Sequence, residues 1–93
     1  MSKQTFIICL ENIEGRTVFF ERWGFTKAES CIDHMVQLIG SSINFYKRII
    51  GPSAVKAVCY PTPDGYNRAE PVWSVTIEEF WNMVEAERSK SHA

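Results

Sequence analysis

The chain of 93 residues carries ten Lys and Arg against eleven Asp and Glu, a formal charge of −1 at neutral pH, and has room for one domain with one core. An apolar fraction of 45% beside 23% charged residues argues against wholesale disorder. The absence of net positive charge excludes a global field that would recruit nucleic acid or anionic lipid. The longest apolar run, residues 6–10, is too short for a membrane span or a signal-peptide core, so the expected location is cytoplasmic. Cys9, Cys31 and Cys59 make an odd count among apolar neighbours, which in that compartment reads as buried, reduced thiols.

Residues 4–11 and 16–23 are β-branched and aromatic runs joined by a polar tip that contains Gly15, the pattern of a β-hairpin. Phe25 then precedes Thr26 and Glu29, spaced as a capping box. In such a box the Thr hydroxyl accepts from the backbone N–H three residues on, and the Glu reaches back to the cap. Behind it Ala28, Ile32, Met35 and Ile39 recur at helical spacing, and Gly40 is the expected stop in the left-handed conformation. Ser41 and Ser42 precede a second short helix through Ile50, ended by Gly51 and Pro52. Residues 53–60 read as a third strand and residues 72–75 as a fourth, separated by a Pro/Gly-rich turn and a polar segment ending at Pro71. Thr76 and Glu79 form a second capping box, and the helix behind it places Ile77, Phe80, Trp81 and Val84 on one face. The domain accordingly spans residues 1–88, with 89–93 as a frayed polar tail.

An offset of 50 residues aligns Cys9 with Cys59, Gly15 with Gly65, Trp23 with Trp73, Thr26 with Thr76 and Glu29 with Glu79. Each half then reads strand, turn, strand, capping box, helix. The expected fold class is α+β: a two-layer sandwich with an antiparallel four-stranded sheet and helices on one face, in ββα(α)ββα order. A sheet covered on one side should alternate apolar and polar residues, yet the first strand is apolar on both sides. Ile7, Cys9 and Phe19 are read as sharing the second face with Trp23. They require a cover, supplied by the helix at 42–50 or by a second copy, and a homodimer is the expectation.

The function classes narrow by what the residues lack. Cys31 and His34 have the Cys-x-x-His spacing of half a zinc site, but no second pair stands nearby. No metal is therefore expected. Nucleophilic catalysis needs a base held by a third group, and only His34 and His92 offer imidazoles. There is no Gly-rich phosphate loop, so no cofactor and no catalytic residues are assigned. Tyr46, Lys47 and Arg48 are the densest cation–aromatic cluster and define an alternative nucleic-acid-binding patch, although cations in a last helical turn also complement the helix dipole. A small-ligand or catalytic pocket between sheet and helices is a further alternative.

The leading expectation is a non-enzymatic protein-binding module with an unidentified protein partner. Its surface is the 61–71 loop, with Tyr66 and Arg68, extended by Arg22, Trp23 and Trp73 where the strands end. Tyr, Trp and Arg are the residue types enriched at interface hot spots, and prolines limit the entropy lost on docking. The hairpin, capping-box and helix opening of the first 40 residues is similar in style to that of many small proteins of bacteria, phages and mobile elements. That resemblance implies an adaptor or inhibitor role encoded on a mobile element, and it carries no functional residues with it.

Overall fold

Runs with a two-residue period become strands and runs with a helical period become helices in the computed structural model, which describes residues 5–63 and 67–91. In chain order the elements are β1 (Thr5–Asn12), β2 (Thr17–Trp23), α1 (Ala28–Ser41), α2 (Ile43–Ile50), β3 (Ala54–Thr62), β4 (Trp73–Thr76) and α3 (Ile77–Ser91). The strands form one antiparallel sheet in the order β2-β1-β3-β4. The α+β class and the ββααββα order are those the sequence predicts. Helix α3 continues through Ser91, past the point where the polar composition predicts fraying.

One side of the sheet carries the core. Phe6, Ile8 and Leu10 of β1 and Ala57 and Cys59 of β3 pack with Cys31, Met35 and Ile39 of α1, Ile43 and Ile50 of α2, and Phe80 and Val84 of α3. Each large apolar side chain buried there contributes about 1.5–3 kcal/mol before entropy is counted. Helix α2 belongs to this side as well. Tyr46 meets Phe19 of β2 edge to face at 5.8 Å between ring centroids, and the Lys47 ammonium lies 5.4 Å over the Trp81 ring of α3. The short helix therefore closes the end of the helix layer and does not cover the opposite face.

The hairpin turn explains which β2 side chains face the helices. Asn12 holds it, its Oδ1 accepting from the backbone N–H groups of Glu14 and Arg16, each at 3.0 Å, while Gly15 takes a positive φ of 79° that few other residues tolerate. Leu10 then pairs with Phe19, but Glu11 pairs with Thr17, which leaves Val18 as the extra residue of a β-bulge. This register puts Phe19 and Trp23 on the helix side, opposite Leu10 and Phe6. The expectation that Phe19 shares a face with Ile7 and Cys9 is thus corrected, because a one-residue shift turns every side chain over.

The helix boundaries also depart from their signals in two places. Lys27, not Thr26, is the N-cap of α1, its backbone extended and without a side-chain cap bond. The entry is held by aromatic packing, with Phe25 stacked on Trp23 at 6.2 Å and tilted against His34 at 4.3 Å. Helix α1 also runs through Gly40 and stops at Ser42. A Cβ at Gly40 would stand 3.7 Å from the Val84 carbonyl, an ordinary contact, so the glycine neither breaks the helix nor is required by α3. The second capping box forms as expected: the Glu79 N–H donates to Thr76 Oγ1 at 3.1 Å, and the Thr76 N–H donates to Glu79 Oε1 at 3.4 Å.

The two ββα halves occupy equivalent places, with β1 and β3 central and β2 and β4 at the edges. The internal alignment does not extend to side chains. Cys59 pairs with Ile8 on the helix side, whereas Cys9 pairs with Val58 on the other.

Candidate functional site

The face turned away from the helices is built by strand register. Ile7, Cys9 and Glu11 of β1 lie beside Arg22, Phe20 and Thr17 of β2 and beside Tyr60, Val58 and Lys56 of β3. Ser74 and Thr76 extend the rows on β4. Ile7 at 5% exposure, Cys9 at 0% and Val58 at 3% are buried within the single chain. The cover for which the sequence offers the 42–50 helix or a second copy is, for these three side chains, supplied within the same molecule, and α2 is on the other side of the sheet.

Part of that cover is Arg68. The loop after β3 is tied back to the sheet, with the Ala69 N–H donating to the Pro61 carbonyl at 2.8 Å and the Val72 N–H to the Cys59 carbonyl at 2.9 Å. From this loop the Arg68 guanidinium lies 5.1 Å over the Tyr60 ring, and its Nη2 donates to Thr17 Oγ1 at 3.4 Å. Tyr60 is on β3 and Thr17 on β2, with β1 between them, so the side chain spans the central strand in the row of Cys9. A hollow of about 250 Å³, lined by Pro63, Asn67, Arg68 and Ala69, opens beside it.

Tyr60 is itself held from below. Its hydroxyl donates to Glu11 Oε2 at 2.6 Å, and Lys56 Nζ stands 3.6 Å from Glu11 Oε1. The Glu11 side chain is only 3% exposed, and a carboxylate removed from water needs such partners to be tolerated. Burial, then the hydrogen bond to Glu11 and the carboxylate charge, push the Tyr60 phenol up to about 12, which keeps it protonated as the donor. Burial also pushes the Cys9 thiol up, opposed by the hydrogen bond to Thr17 and the charge of Arg68. Buried, protonated thiols are poor nucleophiles. The same holds for Cys59, pushed up to about 11 by burial and by the neighbouring Cys31 and Cys9. Among the described residues this face exposes the Phe20 ring, at 55%, together with Arg22, Lys56, Arg68, Ser74 and Thr76.

The residues singled out in the sequence are divided by this arrangement. Arg22 and Arg68 lie on the open face. Trp23 and Trp73 lie on the helix side, paired with Phe6 and Cys59 on opposite edge strands, so neither Trp joins a surface with the two arginines. Two intervening strand spacings plus one, at about 4.8 Å each, separate those edges. Tyr66 lies outside the described residues. Tyr46, Lys47 and Arg48 do not make one surface either, since Tyr46 packs against Phe19 and Phe45 and Lys47 against Trp81. The Cys31 thiol is buried and directed to the Trp23 carbonyl at 3.9 Å, whereas the exposed His34 contacts the Ser30 carbonyl through Nδ1 at 2.8 Å. These two side chains diverge, and among the described residues no group of three His, Cys, Asp or Glu is placed to hold a metal ion.

Glu11, Tyr60, Thr17 and Phe20 are absent from the sequence-level candidates. The one available signal is Glu11 itself, a charged residue closing an otherwise apolar strand. Its partner sits 49 residues away, and nothing short of the strand pairing connects them. The hollow in the helix layer, about 220 Å³ between Gln37, Gly40, Ser41, Glu87 and Arg88, lies between α1 and α3 rather than between sheet and helices. No helix among the described residues is long and apolar enough to cross a membrane. No protein-family model matches the chain, and no curated protein or solved structure matches it.

Proposed function

We propose that the chain is a small protein-binding module that acts by docking, without chemistry of its own, and that the partner sits on the open face of the sheet. The observation that carries this reading is the contrast within that face. Ile7, Cys9 and Val58 are buried by their own chain, while Phe20 in the same rows stays 55% exposed beside a guanidinium already fixed on Tyr60. Exposed aromatic rings and arginines are residue types enriched among interface anchors, and a pre-set side chain loses little entropy on binding. Catalysis finds less support here, because the thiol is buried and the buried carboxylate is already engaged by Tyr60 and Lys56.

A homodimer through this face has lost the observation that motivated it, since Ile7 and Cys9 need no second copy. It also meets a charge objection. A two-fold contact would set the face that carries Arg22, Lys56 and Arg68 against an identical face of the other copy. The test is affinity capture with the wild-type chain, Phe20→Ser, Arg68→Ala and the helix-side control Glu78→Ala. The expected result is that the two open-face variants lose the captured protein and the control keeps it. Equal capture by all four chains would contradict the reading. Phe20 and Glu78 are exposed, so those two variants should stay within about 0.5 kcal/mol of wild-type stability, while Arg68→Ala also strips the guanidinium from the Tyr60 ring and its urea midpoint is measured alongside.

A further inference from the structure

We infer that the hollow between α1 and α3 is a binding site for a small primary amine in its protonated form, with Glu87 as the counter-charge. This site lies in the helix layer and is independent of the docking proposed for the open face. The helical period of α3 singles Glu87 out. Phe80 and Val84 are fully buried in the core, and Glu87 falls on the same stripe, three residues past Val84 and seven past Phe80. A position that continues a core stripe is thus filled by a carboxylate, and that carboxylate is partly buried. Glu11, the other acid withdrawn from water, has Tyr60 and Lys56 as partners. Among the described residues Glu87 has no hydrogen bond and no ion pair.

The groups around it fix the kind of ligand. The hollow, about 220 Å³, is lined by Gln37, Gly40 and Ser41 of α1 and by Glu87 and Arg88 of α3. The Ser41 hydroxyl donates to the Leu38 carbonyl at 2.6 Å, so its oxygen is left as an acceptor, and the Gln37 amide brings another. Helix α1 ends here with no basic residue in its last turn, and the partial negative charge of a helix C-terminus is met best by a cation. Arg88 turns the other way. Its Nη1 stands 4.0 Å from Glu85 Oε2, and Glu85 is two residues, close to half a turn, from Glu87. Acceptors gathered about a carboxylate suit a ligand that brings donors and positive charge together, and an ammonium brings three donors. A metal ion fits less well, because among the described residues no group of three His, Cys, Asp or Glu is placed to hold one. The volume is below the roughly 300–1,000 Å³ of sites that enclose drug-sized ligands. The ligand is therefore small, a free amine or the end of a lysine side chain.

NMR titration of the isotope-labelled chain at constant ionic strength tests this with pentylamine, Nα-acetyl-lysine amide and 1-pentanol, the last having the amine's length without its charge. The expected result is saturable shifts at Gln37, Gly40, Ser41 and Glu87 with pentylamine and none with 1-pentanol. Binding should be about tenfold weaker for Glu87→Gln and weaker by a smaller factor for Ser41→Ala. It should be unchanged for Glu78→Gln, an exposed carboxylate at the other end of α3. Binding of Nα-acetyl-lysine amide as tight as that of pentylamine supports a site for a lysine side chain, and weaker binding supports a free amine. Absence of saturable shifts, equal binding of 1-pentanol, or indifference to Glu87→Gln overturns the inference. The unligated spectrum of each variant reports its fold; if Glu87→Gln does not fold, Ser41→Ala decides, and wild-type affinity in that variant overturns the inference.

Discussion

Glu11 is a carboxylate placed under a sheet face, and the residues around it follow from that single expense. Its charge is tolerated because Tyr60 donates from one side and Lys56 approaches from the other; the same bond fixes the ring on which Arg68 lies. Replacing Tyr60 with Phe keeps the ring and removes the donor. A hydrogen bond to a buried charge is worth about 1.5–3 kcal/mol, so the urea midpoint of Tyr60→Phe should fall by an amount corresponding to that loss. A change below about 0.5 kcal/mol, the range of an ordinary surface substitution, would show that Glu11 does not depend on the phenol. At this scale the sequence is informative about residue type and silent about partners. Arg68 stands out in a loop by its chemistry, and Arg22 by its place near a strand end. Tyr60 reads only as the last residue of an apolar run, because the group that gives it a role is brought to it by the antiparallel pairing of β1 with β3.

Helix starts give the clearest contrast at the scale of elements. Both boxes have the same Thr-x-x-Glu spacing, yet only Thr76 and Glu79 exchange their hydrogen bonds. At the other, the chain must first bring Phe25 onto Trp23 and His34, and the helix begins one residue too late for Thr26 to cap it. Tertiary packing of one aromatic has overridden a local signal. Thr76→Ala should therefore cost about 1 kcal/mol, the usual value of an N-cap, and Thr26→Ala should stay within about 0.5 kcal/mol. Thermal or urea unfolding of the two variants compares them directly, and equal losses would contradict the assignment of a working cap to α3 alone. The existence and order of every element were legible from periodicity and turn residues. The stop at Gly40 was not, since a glycine that continues a helix and one that ends it look alike until the neighbouring helix is known.

For the whole molecule, layout and orientation separate in the same way. A four-stranded antiparallel sheet with its helices on one side follows from the succession of patterns. Which β2 residues join which face does not, because the bulge at Val18 decides it and leaves no mark in the composition. The consequence for function is large. With Phe19 and Trp23 turned inward and Ile7 and Cys9 sealed, the face among the described residues offers the exposed Phe20 ring beside Arg22 and Arg68, bounded by a loop whose Arg68 reaches across it. The test that bears most directly on this account is NMR chemical-shift mapping of the chain alone and saturated with its captured protein partner. Changes are predicted at Phe20, Arg22, Val58, Tyr60 and Arg68, with α1 and α3 unmoved. Changes concentrated on the exposed residues of α1 and α3, with the β2 and β3 signals in place, would contradict it.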